Sequence, residues 1–147
     1  MNRILAVASG GGHWKELMLI KKAFLNADVH YVSTSKEKSN DDFNIKHSVV
    51  NDCSYQDKLK MVYVFFQILI IIYRFKPDTI ISTGACPGFL SVLIGKVFGV
   101  QTIWVDSIAN ADKMSLSGRV ASRFVDVCIT QWEHLANERV LFKGAVL

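Results

Sequence analysis

Short apolar runs alternate with longer segments of helical spacing along the whole chain. Apolar runs without polar alternation are typical of strands that are buried on both faces of a sheet. They predict strands over residues 4–8, 29–32, 45–50, 79–82, 101–105, 127–130 and 140–142. Apolar residues spaced three and four apart predict helices over residues 14–26, 58–75, 89–98, 116–124 and 132–137. The polar residues 33–44 are typical of a surface loop.

This alternation predicts an α/β protein. Parallel strands that are joined by helices require right-handed crossovers, which place helices on both faces of the sheet. A chain of 147 residues is typical of one domain with a full hydrophobic core, and no change of composition marks a boundary. We therefore expect residues 1–147 to form a single domain around a parallel sheet.

The predicted helix over residues 58–75 is unusually apolar. From Met61 to Tyr73 its only strongly polar side chain is Gln67, and lysine and arginine flank this run. These 13 residues are fewer than the roughly 20 that span a bilayer. One interpretation is a crossover helix that is buried against the sheet. We favour the other, a helix with its outer face on a membrane surface, because a small domain with one sheet rarely covers a helix on all sides.

Three predicted strands end in polar or glycine-rich turns, at residues 9–13, 83–88 and 106–107. The carboxyl ends of parallel strands meet at one edge of the sheet, so we expect the three turns to converge on one crevice. Glycine turns at helix starts expose backbone N–H groups that can bind an anion. The alternative for each single turn is a structural role only.

Two nucleotide-binding motifs are excluded. A Walker loop needs lysine and serine or threonine after its last glycine, whereas Gly12 is followed by His13. A dinucleotide fingerprint needs an acidic residue after the second strand, where this chain has Ser33, Thr34 and Ser35. Neither ATP hydrolysis nor a nicotinamide cofactor is therefore expected.

His13 and Asp106 are the strongest acid/base candidates in the three turns. A histidine can act as a general base near neutral pH and deprotonate a hydroxyl nucleophile. The alternatives are a histidine that packs locally at a helix start and an aspartate that caps a helix or a turn.

The formal net charge of +4 is spread along the chain. This distribution argues against a nucleic-acid partner and is compatible with an anionic membrane surface or a phosphate-bearing substrate. Three widely spaced cysteines, Cys53, Cys86 and Cys128, predict free thiols in a reducing cytoplasm, and no metal site or cofactor is expected. The first residues lead into a strand without a signal-peptide pattern, which also favours the cytoplasm.

Five motifs together resemble a known family. They are Ser9-Gly-Gly-Gly-His13, Ser82-Thr-Gly-Ala-Cys-Pro-Gly88, Trp104-Val-Asp-Ser-Ile-Ala109, Ser115-Leu-Ser-Gly118 and Thr130-Gln-Trp132. Their order and spacing are similar to those of half-glycosyltransferases, the acceptor-side subunits of split enzymes. One branch is the membrane-recruiting subunit of the dolichol-pathway N-acetylglucosaminyltransferase, and the other comprises bacterial capsular and exopolysaccharide proteins. The resemblance covers nearly the whole chain.

The resemblance implies the Rossmann-like N-terminal half of a GT-B fold and a subunit of an inverting glycosyltransferase. A separate partner chain then binds the UDP-sugar donor, while this chain presents a lipid-linked acceptor at the inner face of the cell membrane. The dolichol-pathway subunit begins with a membrane-spanning helix, which is absent before Arg3 here. We therefore expect the bacterial branch, with Met61 to Tyr73 as the membrane contact.

The resemblance also implies roles for individual residues. The glycine turn, Gly10, Gly11 and Gly12 with His13, is expected near the diphosphate of the acceptor, and Asp106 at an acidic position of the cleft. Further expected substrate contacts are Ser9, Thr83, Gly84, Pro87 and Ser107.

Two other functions stay open. One is a non-catalytic scaffold that enhances the activity of a partner glycosyltransferase. The other, a stand-alone nucleotide-binding protein, is disfavoured by the missing acidic residue after the second strand.

Overall fold

The computed structural model describes residues 1–36 and 45–146. Seven strands are present in this part of the chain: β1 (Arg3–Ala8), β2 (Asp28–Ser33), β3 (Lys46–Val49), β4 (Thr79–Gly84), β5 (Gln101–Val105), β6 (Val127–Thr130) and β7 (Val140–Phe142). The α-helices of the described residues are α1 (Gly12–Leu19), α2 (Lys58–Phe75), α3 (Ala85–Val97) and α4 (Leu116–Ala121). Two short 3₁₀ helices lie at Lys21–Phe24 and Glu133–Leu135.

All seven strands form one parallel sheet in the order β3-β2-β1-β4-β5-β6-β7. The chain runs outward from β1 to β3 and then returns to the other side of β1 with β4. Neighbouring strands β1 and β4 are therefore followed by connections that leave in opposite directions, which opens a crevice beyond their carboxyl ends. The predicted α/β architecture is confirmed.

Helices cover both faces of the sheet. On one face α2, α3 and α4 enclose the larger core, in which Trp104 is fully buried between the sheet and the helices. On the other face α1 and the first 3₁₀ helix pack Trp14, Leu17 and Phe24 against the sheet. Side chains of β1 alternate between the two cores, as expected for a strand that is buried on both sides.

Three predicted helices end differently in the structure. The helix predicted over residues 14–26 is split into α1 and the 3₁₀ helix Lys21–Phe24, and the one over residues 116–124 ends as an α-helix at Ala121. In both, the backbone changes after the α-helix to hydrogen bonds between residues three apart, such as Ala23 N to Ile20 O and Arg123 N to Val120 O. The helix predicted over residues 132–137 is the 3₁₀ helix Glu133–Leu135. Hydrophobic spacing does not distinguish the two helix types over so few residues.

The start of α3 is also corrected. The helix begins at Ala85, four residues before the predicted start, so that Pro87 is its third residue. Proline fits anywhere in a first turn because the N–H groups there have no partner within the helix. The loop predicted over residues 33–44 lies mostly outside the described residues.

The bounds of α2 match the prediction. Asp57 caps its first turn by accepting a hydrogen bond from Lys60 N at 3.1 Å, and Lys76 ends it in the left-handed conformation. One face is buried against the sheet and α3, through Val64, Ile68, Ile72 and Phe75. The opposite face exposes a stripe at helical spacing, which we call the apolar stripe: Leu59, Val62, Tyr63, Phe66, Ile70 and Tyr73. No helix within residues 1–36 and 45–146 is long and apolar enough to span a membrane.

Close packing between α3 and β4 fixes the helix beside the crevice. A Cβ atom at Gly88 would lie 2.0 Å from Ser82 Oγ, which is far inside van der Waals contact. Ser82 Oγ in turn accepts a hydrogen bond from Gly84 N at 3.1 Å. The absent side chain of Gly88 therefore allows α3 to start directly above the end of β4.

We expect Gly88→Ala to lower the free energy of unfolding by about 1–3 kcal/mol, the usual cost of overpacking. Removing the opposing hydroxyl with Ser82→Ala in the same chain should recover part of this loss, because the two substitutions share one contact. Chemical denaturation of the wild type, the two single variants and the double variant measures the coupling energy between the two substitutions. The control is Gly95→Ala in the same helix, whose Cβ would meet the flexible end of Ile80. Simple additivity of the two substitutions would contradict the packing argument.

Candidate functional site

A cleft of about 350 Å³ lies at the carboxyl ends of β1, β4 and β5. It is lined by glycine, alanine and polar residues: Gly12, His13, Gly84, Ala85, Asp106, Ser107, Ala109, Asn110, Ser115 and Ser117. Residues from all three predicted turns are among them, so the turns do converge on one crevice.

The glycine turn leads from β1 into α1. Gly10 N donates a hydrogen bond to Thr34 Oγ1 at 2.8 Å, which anchors the turn to the end of β2. The cap residue of α1 is Gly11, and it offers no side-chain acceptor to the first N–H groups of the helix. These N–H groups and the positive end of the helix dipole therefore remain available to an anion at the cleft.

The second turn, between β4 and α3, has a strained backbone. Gly84 has φ 136° and Ala85 has φ 69°, both in the region that favours glycine. Gly84 also caps α3 without a side-chain acceptor. A Cβ atom at Gly84 would lie 2.7 Å from both Cε1 and Nδ1 of His13, so the imidazole ring packs directly on this glycine.

His13 and Thr83 join the two turns by a pair of hydrogen bonds. Thr83 Oγ1 donates to the carbonyl oxygen of His13 at 2.7 Å, and His13 Nδ1 lies 3.0 Å from the carbonyl oxygen of Thr83. Because a carbonyl oxygen only accepts, Nδ1 carries the proton of this bond. In the neutral ring Nε2 then keeps its lone pair, and no group of residues 1–36 or 45–146 bonds to it. The half-buried ring can therefore accept a proton at Nε2.

Asp106 is bound by its own loop. The residue is 2% exposed, and its carboxylate accepts four hydrogen bonds. The donors are Trp104 Nε1 at 3.0 Å, Asn110 Nδ2 at 3.3 Å, and the hydroxyl and backbone N–H of Ser115 at 2.6 and 3.0 Å. This network folds the connection between β5 and α4 around the carboxylate. The geometry is that of a turn carboxylate, the alternative role considered for this residue.

Five of the ten predicted site residues line the cleft, namely Gly12, His13, Gly84, Asp106 and Ser107. The others are not in its lining: Ser9, Gly10, Gly11, Thr83 and Pro87. Of these, Ser9, Thr83 and Pro87 are buried.

Sequence reasoning missed the lining residues Ala85, Ala109, Asn110, Ser115 and Ser117. A signal for Ser115 was present, because serine before a helix is a favoured cap, and its hydroxyl does accept from Gly118 N at 2.9 Å. It also missed Glu16 on α1, which contacts the loop after Asp106.

The cysteines are free thiols. Cys86 and Cys128 are buried and Cys53 is half-buried, and burial raises the pKa of all three, that of Cys128 to about 12. Within the described part of the chain, no group of three His, Cys, Asp or Glu side chains is placed to hold a metal ion.

The fold of this chain is similar to that of proteins with solved structures. The chain is similar to Acinetobacter baumannii MurG, with a TM-score of 0.80 and 14% identity over 97% of this chain and 45% of that protein. It is also similar to UDP-N-acetylglucosamine 2-epimerase of Rickettsia bellii, with a TM-score of 0.74 and 14% identity over 99% of this chain and 45% of that one. The chain thus has the Rossmann-like architecture of the N-terminal half of a GT-B fold, as predicted.

The family follows from sequence. A family model described as "Oligosaccharide biosynthesis protein Alg14 like" matches residues 4–146, so the chain belongs to the Alg14-like family. It is 35% identical over 69 residues to UDP-N-acetylglucosamine transferase subunit alg14 of Schizosaccharomyces pombe, a match that covers 42% of this chain and 32% of that protein. The chain thus matches about a third of this relative's length. The resemblance to a subunit of a split glycosyltransferase is confirmed at the level of the family.

We expect neutral His13 to be the Nδ1–H tautomer, because only this form donates to the Thr83 carbonyl. Long-range ¹H–¹⁵N correlation spectra of the labelled chain distinguish the protonated nitrogen from the bare one. A predominant Nε2–H tautomer of the neutral ring would contradict the hydrogen bond and remove the free lone pair from the cleft.

Proposed function

We propose that this chain is the acceptor-side subunit of a two-component inverting glycosyltransferase. A sugar passes from a UDP sugar to a lipid-linked acceptor, in the synthesis of a polysaccharide or a lipid-linked oligosaccharide. The observation that carries the proposal is the cleft, where a histidine with a free Nε2 lies between two helix starts that lack side-chain caps. A base beside an anion-binding surface suits a hydroxyl nucleophile that is attached to a phosphorylated lipid.

We assign donor binding to a separate partner chain. The S. pombe relative is by name a subunit of a UDP-N-acetylglucosamine transferase, which supports a second chain in the enzyme. The pocket at the strand ends is open and small at about 350 Å³. A second domain facing the three turns completes the cleft in this proposal, and the UDP sugar binds to that domain.

His13 is the proposed general base. The hydroxyl oxygen of the acceptor sugar forms the new bond to the anomeric carbon of the donor, and the bond from that carbon to the UDP oxygen breaks. The hydroxyl proton passes to His13 Nε2, while the Thr83 carbonyl holds the opposite side of the ring. Attack from the face opposite to the leaving group inverts the anomeric centre.

The starts of α1 and α3 are the proposed contacts for the diphosphate of the acceptor. Gly12 and Gly84 bring backbone to the cleft surface without side chains, and the two helix dipoles favour negative charge there. In this proposal Asp106 is a positioning residue, because its four hydrogen bonds hold the loop that carries Ser107. Ser9, Thr83 and Pro87 are buried next to the two turns and support them, while Gly10 and Gly11 form part of the glycine turn.

The apolar stripe of α2 is the proposed membrane contact. Lys58 and Lys60 flank its first residue, and Arg74 and Lys76 follow its last, so that cations at both ends can meet anionic headgroups. The loop before α2 reaches the cleft, where the Tyr55 hydroxyl hydrogen-bonds to Ser117 Oγ. The cleft is therefore close to the membrane-facing helix, as a lipid-linked acceptor requires. In this proposal the chain is a peripheral protein on the cytoplasmic face of the membrane.

The catalytic proposal is tested by reconstituting the complex with its donor-binding partner, a UDP sugar and lipid acceptor. We expect no transfer by this chain alone and a fall in kcat of about 10²–10⁴-fold for His13→Asn, the usual contribution of a general base. Asparagine keeps an N–H group near the Thr83 carbonyl but lacks the base. The control is His134→Gln, on an exposed histidine outside the cleft lining; glutamine can keep the hydrogen bond to the Ala111 carbonyl, so the rate should be unchanged. Full activity of the partner alone would favour the scaffold function, and a wild-type rate for His13→Asn would exclude the base.

The membrane proposal is tested by co-sedimentation with vesicles that contain anionic phospholipid. Phe66→Glu and Tyr73→Glu place a negative charge in the apolar stripe, and each should weaken binding by at least about tenfold, since burying such a side chain contributes about 1.5–3 kcal/mol. The matched control is Leu25→Glu, because Leu25 is 80% exposed next to the 3₁₀ helix on the other face of the sheet. Equal loss of binding in the control, or no binding by the wild type, would contradict the assignment.

A further inference from the structure

Glu16 is a buried acid that the proposed chemistry does not use. It lies in the second turn of α1, its side chain faces the sheet, and the residue is 7% exposed. Its Oε1 accepts hydrogen bonds from Ser107 Oγ at 2.9 Å and from Ile108 N at 3.0 Å. The second oxygen, Oε2, is buried and has no hydrogen-bond partner among the described residues.

This placement is costly, because a buried carboxylate loses its hydration. The ion pairs found among residues 1–36 and 45–146 are Lys46–Asp28 and Lys96–Asp126, so Glu16 is not neutralised by a lysine or arginine in that part of the chain. The buried acids in the same part are Glu16 and Asp106, and both contact the connection between β5 and α4. A side chain that is chosen only for packing on a helix would be apolar at this position.

The contact of Glu16 joins the two walls of the cleft. One wall is the glycine turn with the start of α1, and the other is the segment 106–110, which carries Asp106, Ser107, Ala109 and Asn110. Glu16 is separated from Ser107 and Ile108 by about 90 residues of chain, and it bonds them to α1 three residues after His13. The reach of the Glu16 side chain therefore contributes to the distance between the two walls.

Segment 106–110 is also hydrogen-bonded on the side that faces away from α1. Trp132 Nε1 donates to the Ile108 carbonyl at 2.7 Å, and Gln131 Nε2 donates to the Asp106 carbonyl at 3.0 Å. These bonds fix the segment to the residues after β6. Among residues 1–36 and 45–146, Glu16 supplies the hydrogen bonds between this segment and α1, so its removal leaves the segment bonded to the residues after β6 but not to α1.

We propose that Glu16 is a positioning residue that sets the width of the acceptor cleft through the reach of its carboxyl group, and not through its charge. The proposal rests on the proposed function for the identity of the ligand, a phosphorylated lipid-linked acceptor. Glu16 acts through Ser107 and Ile108 and does not itself line the cleft.

The test is a matched pair of substitutions. Glu16→Gln keeps the length of the side chain and an acceptor oxygen but removes the charge. Glu16→Asp keeps the charge but is shorter by one methylene, about 1.5 Å, so its carboxylate does not reach Ile108 N. Reach and charge are thus changed separately at one position.

Hydrogen–deuterium exchange of the isolated chain measures the contact directly. In the wild type and Glu16→Gln we expect the Ile108 amide to be protected, and in Glu16→Asp we expect faster exchange over residues 106–110. In the reconstituted complex Glu16→Asp should raise KM for the lipid acceptor about tenfold, which is within the range for the loss of one hydrogen bond. KM for the donor and kcat should change by less than about twofold, and Glu16→Gln should behave as the wild type in all of these measurements.

Other results overturn the proposal. A defect in Glu16→Gln with normal Glu16→Asp shows a role of the charge, and wild-type exchange and KM in both variants show that the contact does not matter. Loss of folding in both variants, seen as a collapse of Tm, shows a role in stability alone. If even the wild-type complex transfers no sugar, the proposed function fails, and the exchange data with the affinity of the isolated chain for inorganic pyrophosphate still decide the role of Glu16.

Discussion

The two hydrogen bonds between His13 and Thr83 are the interaction on which the cleft depends. They join the connections that follow β1 and β4, the neighbouring strands at which the strand order turns back. The imidazole ring of His13 fills the space that a side chain at Gly84 would occupy. The hydrogen bonds between His13 and Thr83 therefore require a glycine at position 84. The strained backbone at Gly84 and Ala85 is held by this contact, as strain at binding sites usually is. The same contact fixes the tautomer that leaves Nε2 open.

The other wall of the cleft is built from buried polar groups. The carboxylate of Asp106 gathers donors from its own loop, and Gly118 leaves room for it, since a Cβ there would lie 2.4 Å from Asp106 Oδ1. Such networks specify one loop conformation because each unsatisfied member would be costly. This explains why motifs that lie far apart in sequence belong to one site. Trp104 and Ser115, which belong to two of the motifs, donate hydrogen bonds to the carboxylate of Asp106, and a third motif contributes the Gln131 and Trp132 contacts.

Much of this structure could be predicted from the sequence, since buried strands and glycine turns leave strong local signals. Residues 101–105, 127–130 and 140–142 form strands with the predicted bounds, and three predicted turns meet at one edge. The roles of individual side chains at this edge of the sheet could not be predicted from local sequence. Pro87 and Thr83 are buried behind the cleft. The carboxylate of Asp106 accepts hydrogen bonds from residues up to nine positions away, and these partners decide its role. The sequence around Glu16 does not indicate its hydrogen bonds, because its partners are about 90 residues away along the chain.

The uncovered face of α2 has a consequence for the behaviour of the protein in water. Leu59, Val62, Tyr63, Phe66, Ile70 and Tyr73 form a continuous exposed strip. Apolar patches of this kind drive colloidal association when nothing covers them. A purified sample in plain buffer will therefore self-associate with rising concentration, and mild detergent will disperse it.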